Sequence, residues 1–108
     1  MHWTRIVVTP HALDAQAERC AEQRSPAEIK LEIVHAFDAG RTSRRKPSWL
    51  HGPKPKESKS ATYAWPPGRE RVYLLTLNPA YVLHVRTLLV PNPHSPFRSL
   101  LKREAAAA

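Results

Sequence analysis

Residues 71–91 read RVYLLTLNPAYVLHVRTLLVP, and the fold turns on how that stretch is divided. Two apolar runs, Val72–Leu77 and Tyr81–Val90, flank Asn78-Pro79-Ala80. An Asn-Pro step between β-rich runs marks a turn, so the stretch predicts a hairpin. Side chains alternate between the two faces of a strand. The second run therefore places Leu83, Val85, Thr87 and Leu89 on one face and Val82, His84, Arg86, Leu88 and Val90 on the other. The first set is a core face. The second is apolar at its ends and carries an imidazole and a guanidinium in the middle.

The sequence before the hairpin predicts a strand and two helices. Trp3–Val8 is a short β-type run. Thr9 is placed to cap a helix that opens with Pro10 and runs to about Gln23, with a thin apolar side of Leu13, Ala17, Cys20 and Ala21. Ser25-Pro26-Ala27-Glu28 has the pattern of a capping box, with proline at the first helical position. The helix it opens is expected to reach Ala39, with Gly40 in the left-handed position beyond its end. Its buried stripe is Ile29, Ile33, Val34 and Phe37. Arg44–Leu50 has room for an edge strand with Trp49 folded back on the core, and Ala61–Trp65 is a short strand. The whole predicts an α+β domain over residues 1–91: strand, helix, helix, then a three- to four-stranded antiparallel sheet with both helices on one face. Residues 92–108 form a tail, with one or two helical turns expected over Phe97–Glu104.

The 108 residues suit one modest core, and the formal net charge is +8. Between positions 41 and 60, Arg41, Arg44, Arg45, Lys46, Lys54, Lys56 and Lys59 face Glu57 alone, so that segment holds +6 of the +8. Such a field suits a polyanion, nucleic acid above all, although a solvated basic loop has the same composition. Cys20 is the single cysteine, which rules out an internal disulfide and a cysteine metal cluster. His2, His35, His51 and His94 show no metal-ligand spacing, and no metal or cofactor is expected. The start lacks the pattern of a signal peptide, and no apolar run approaches the ~20 residues that span a bilayer. A soluble protein of the cytoplasm is the expectation.

These elements resemble the RelE/ParE toxins and the wider barnase-like ribonuclease toxin fold. The N-terminal half is also similar to a small bacterial domain family grouped with that fold. The resemblance rests on His11-Ala12, Arg19, Ser25-Pro26-Ala27-Glu28-Ile29, Gly40 and Val85-Arg86-Thr87-Leu88, over roughly residues 5–90. It implies a toxin-type endoribonuclease that works without metal. A base takes the 2′-hydroxyl proton, cations hold the phosphorane charge, and an acid protonates the leaving 5′ oxygen.

In that scheme His84, Arg86 and His11 are the expected catalytic groups, with Arg41, Arg44, Arg45, Lys46, Lys54, Lys56 and Lys59 holding RNA and Tyr63 stacking on a base. Each has a plainer reading. His11 suits a surface helix start, His84 a bridge to a neighbouring strand, Arg86 an ion pair with Glu70 or Glu18, and Tyr63 a core anchor. Some members of the fold bind a protein partner instead of cutting RNA, and fold alone does not decide. The alternative is a non-catalytic module that holds nucleic acid, or that holds an acidic antitoxin, a host enzyme or its own copy at a sheet edge, with a phage accessory factor that inhibits a host protein as a third reading.

Overall fold

The computed structural model describes residues 3–50 and 61–91. In chain order they form β1 (Arg5–Val8), α1 (Pro10–Arg19), α2 (Pro26–Asp38), β2 (Thr42–Ser43), β3 (Ala61–Ala64), β4 (Val72–Leu77) and β5 (Val82–Leu89). The class is α+β, as expected. The sheet has five strands in the order β1-β5-β4-β3-β2 and is mixed rather than wholly antiparallel. β1 lies parallel to β5, with Ile6 opposite Leu83 and Val8 opposite Val85. Parallel neighbours cannot be joined by a tight turn, and here everything from α1 to β4 lies between them. The expected tail, with its turns over Phe97–Glu104, lies outside the described residues. Among the described residues no helix is long and apolar enough to cross a membrane.

Local signals explain most of the elements. Thr9 Oγ1 accepts from the N–H of Ala12 and caps α1. Ser25 and Glu28 form the reciprocal capping box of α2, and Gly40 takes φ +74° beyond its end. The Asn78 turn closes the hairpin: Asn78 donates its N–H to the Val82 carbonyl, and Tyr81 takes φ 60°.

Two boundaries differ from expectation. α1 stops at Arg19 because Cys20 is extended, and its buried face is Ala12, Ala15 and Gln16. The side-chain amide of Gln16 clasps the Arg24 backbone, accepting from its N–H and donating to its carbonyl, each at 3.0 Å. Leu13 and Cys20 of the expected stripe pack against the core, and a polar residue, Gln16, is buried beside them. The edge strand falls at Thr42–Ser43, ahead of Arg44–Leu50, because the Ser43 hydroxyl closes a turn on Arg45.

Both helices cover one face of the sheet. Ile29, Ile33 and Ala36 of α2 and Ala12 and Ala15 of α1 are buried with Ile6, Tyr73, Leu75, Leu83, Val85 and Leu88, and Val34 and Phe37 pack against them. The second face is not simply open. Leu50 is buried there with Ala61, Tyr63, Val72 and Leu74, and Trp49, Trp65 and Leu89 flank them. The Trp49 and Trp65 rings meet edge to face at 5.4 Å, and Arg69 stacks over Trp49 at 5.0 Å. This cover lies over β3 and β4. On the β5–β1 side of that face His84, Thr87, Thr76 and Val7 remain half-buried.

A buried polar network closes one end of the helix layer. Arg71 is 1 % exposed and donates to the side chain of Gln16 and to the Glu22 carbonyl. Arg24 bridges Glu32 at 2.6 Å and Glu70 at 2.8 Å, and the Tyr73 hydroxyl donates to Glu32 at 3.1 Å. Burial lifts the Glu32 carboxyl above its usual range, more than Arg24 and Tyr73 pull it down. Burial also raises Glu70, but the hydrogen bond from Arg24 and the neighbouring charges outweigh it and hold the carboxyl low. Burial, with the charge of Glu32, pushes the Tyr73 phenol up to about 12, so it remains a donor.

Candidate functional site

The β1–α1 junction is tied to β5 by one residue. Thr9 donates its N–H to the Val85 carbonyl at 3.3 Å, and its hydroxyl donates to the same carbonyl at 2.7 Å while capping α1. The next residue but one is His11, exposed in the first turn of the helix. The start of α1 is thereby fixed against the middle of β5.

At that point β5 is irregular. Leu75 stands opposite Val85 and Leu74 opposite Thr87, so Arg86 is one residue too many for the ladder. Such a bulge bends the strand and re-aims side chains. It also corrects the predicted faces. Leu83 and Val85 face the helices as expected, but beyond the bulge Leu88 joins them and Leu89 packs on the second face. Thr87, expected in the core, stands opposite Leu74 on the second face. Arg86 sits exposed at the bend and forms no ion pair among the described residues, so neither Glu70 nor Glu18 holds it.

Thr9, His11, Arg86 and Thr87 line one depression of about 360 Å³. No carboxylate is among them. The Thr87 hydroxyl is buried without a hydrogen-bond partner. A guanidinium, an imidazole and two hydroxyls beside the positive end of a helix dipole make a site for a tetrahedral anion. Arg86 is free to chelate two oxygens, and His11 lines the same hollow.

The structure brings His11 and Arg86 together but leaves His84 out of the depression. His84 stands opposite Thr76 and Val7, and its Nε2 lies 3.2 Å from Asn78 Nδ2. The premise that His84 and Arg86 point the same way needs an unbroken pleat, and the bulge breaks it. Of the expected RNA-holding residues, Arg41 is a tie, donating Nε–H to the Trp65 carbonyl at 3.0 Å. Arg44 and Arg45 are exposed just after β2, and Lys46 is half-buried. Lys54, Lys56 and Lys59 lie outside the described residues. Tyr63, expected to stack on a base, is 1 % exposed and is buried with Leu50 and Leu74, its phenol raised by burial and without a partner. Arg44 and Arg45 follow the strand at the opposite edge of the sheet from β1. β5 and β2 are three strand spacings apart, roughly 14 Å.

No family model, curated protein or solved structure matches the chain.

Thr87 and Thr9 are the members of the depression absent from the expected site: strict alternation places Thr87 on the core face, and Thr9 reads as a helix cap.

Proposed function

We propose that this protein acts on single-stranded RNA as a toxin-type endoribonuclease, with one backbone phosphate held between Arg86 and His11. One observation carries the reading: Thr9 and His11 on one side and Arg86 and Thr87 on the other, 75 positions apart from His11 to Arg86, line a single hollow, and among these described residues there are cations and hydroxyls and no carboxylate. In the proposed reaction His11 takes the proton of the 2′-hydroxyl, which attacks the adjacent phosphorus. Arg86 holds the charge that gathers on the non-bridging oxygens. The P–O5′ bond breaks, the leaving oxygen takes a proton from water, and the products are a 2′,3′-cyclic phosphate and a free 5′-hydroxyl. A partner that restrains such an activity, an antitoxin for example, would bring carboxylates to Arg86.

Incubating the purified protein with single-stranded RNA, with and without a chelator, tests this. Cleavage is expected in both, with cyclic phosphate at the new ends. A second reading, RNA binding without cleavage, is favoured by the place of His84: among the described residues the depression is lined by one imidazole, that of His11. Intact RNA in every condition, together with retained binding, decides for that reading.

Either way Arg44 and Arg45 extend the phosphate track across the sheet. Each phosphate neutralised on a single strand contributes about 0.7 to the salt slope of log K. Replacing both arginines with alanine is expected to lower the slope by about 1 to 1.5 in a binding titration over salt. An unchanged slope assigns them to a solvated turn.

A further inference from the structure

The His84 ring is held by a contact whose polarity is fixed by its surroundings. Asn78 Oδ1 accepts from two backbone N–H groups, those of Ala80 and Val82, each at 2.9 Å. The atom facing two N–H donors has to be the oxygen. Turning the amide over would set NH₂ against both and lose two hydrogen bonds inside the turn that closes the hairpin. The atom 3.2 Å from His84 Nε2 is therefore Nδ2. An amide NH₂ only donates, so this contact is a hydrogen bond only with Nε2 as the acceptor and the ring proton on Nδ1.

We propose that Asn78 is a positioning residue that locks His84 as the Nδ1–H tautomer, so that the ring meets RNA as a hydrogen-bond donor and not as a general base. Resting on the function proposed above, this assigns His84 a different task from His11. Nδ1–H has no hydrogen-bond partner among the described residues. The ring is half-buried on the β5–β1 side of the second face, the side that also carries Thr87. An RNA chain with one phosphate in the depression would pass this ring, and its acceptor oxygens, on a neighbouring phosphate or a base carbonyl, match the donor.

The test is a long-range nitrogen–proton correlation spectrum of the histidine rings. In the wild-type protein without RNA, His84 is expected to show a protonated Nδ1 and a bare Nε2. Asn78→Asp keeps one oxygen on the Ala80 and Val82 N–H groups and turns the second, an acceptor, to Nε2. The ring is then expected to move its proton to Nε2, with the β5 backbone signals otherwise unchanged. A wild-type ring protonated at Nε2, or an Asn78→Asp spectrum with the wild-type pattern, overturns the lock. Adding single-stranded RNA is expected to slow exchange of the Nδ1 proton. RNA lacking bases does the same if the acceptor is a phosphate oxygen and fails to if it is a base carbonyl. Saturation with RNA that leaves this proton untouched overturns the donor role. Absence of RNA binding instead overturns the proposed function, while the free-protein spectra still judge Asn78.

Discussion

Arg71→Ala is expected to destabilise the protein by about 2–5 kcal/mol, the usual range when a large buried side chain is cut to alanine, here with two acceptors left without their donor. The side chain is fully enclosed, and its guanidinium serves the Gln16 amide and the Glu22 carbonyl. Gln16 is in turn the residue that clasps the Arg24 backbone, so the loss spreads to the α1–α2 connection. Domains of this size are commonly stable by about 5–15 kcal/mol, so the change takes a large share of the total. Arg71→Met fills most of the volume without the donors and separates the packing part from the polar part.

The pH dependence has a definite sign. The Arg71 charge helps hold down both Glu32 and Glu70. A carboxylate whose folded value is lowered by a neighbour contributes stability above its unfolded value and loses it as pH falls through the folded one. The difference between wild type and Arg71→Ala is therefore expected to be largest near neutral pH and to shrink as pH falls, first as Glu32, held above its usual range, takes up its proton and then as Glu70, held below it, does. Denaturant melts at several pH values read this from the midpoints. Equal midpoints for wild type and Arg71→Met at neutral pH would show that Arg71 merely fills space.

That network was not legible in the sequence, for an identifiable reason. Arg71 follows the turn Pro66–Glu70 and reads as the polar flank of a strand, and its partners lie 55 and 49 positions away. The helices were legible because their signals are local: Ser25 with Glu28, Thr9 with Pro10, Gly40 after the last turn. The hairpin was legible because Asn78 and the two apolar runs adjoin. What failed needed knowledge of a distant partner. The parallel seat of β1 depends on β5, and the burial of Tyr63 depends on Leu50 across the basic segment. The bulge is the most consequential of these. Nothing in YVLHVRTLLV marks Arg86 as the extra residue, and period-two counting carried His84, Arg86 and Leu88 onto one face. The structure instead assigns Leu88 to the core, Thr87 to the second face and Arg86 to the hollow beside His11. His11 and Arg86 both stand out in the sequence, one near the helix start and one on the strand, and the structure brings them to one depression. Their meeting was visible only once Thr9 was seen to join the two elements.

The same meeting sets the largest expected effect on activity. His11→Ala is expected to lower RNA cleavage ~10²- to 10⁴-fold, the range for loss of one well-placed general base. Arg86→Ala is expected to lower it ~10²- to 10³-fold, as when a donor to a developing oxyanion is removed. Both side chains are exposed, so each variant should melt within about 0.5 kcal/mol of wild type. Thr9→Ala is the contrasting case: it removes a helix cap and the tie to Val85, and its cost of about 1 kcal/mol appears in stability first. The pH profile distinguishes one imidazole from two. With His11 as base and water as the proton source, the wild-type rate rises with pH and levels off once the ring is neutral, and His11→Ala removes that rise. If His84 served as a general acid, the rate would fall again at higher pH, and His84→Ala would abolish only that fall. Cleavage and melting measured on the same preparations of His11→Ala, Arg86→Ala and His84→Ala settle the assignment. A His11→Ala protein that cuts RNA at the wild-type rate removes the depression from the chemistry altogether, and activity that declines only with the folded fraction reduces His11 and Arg86 to surface residues at a helix start.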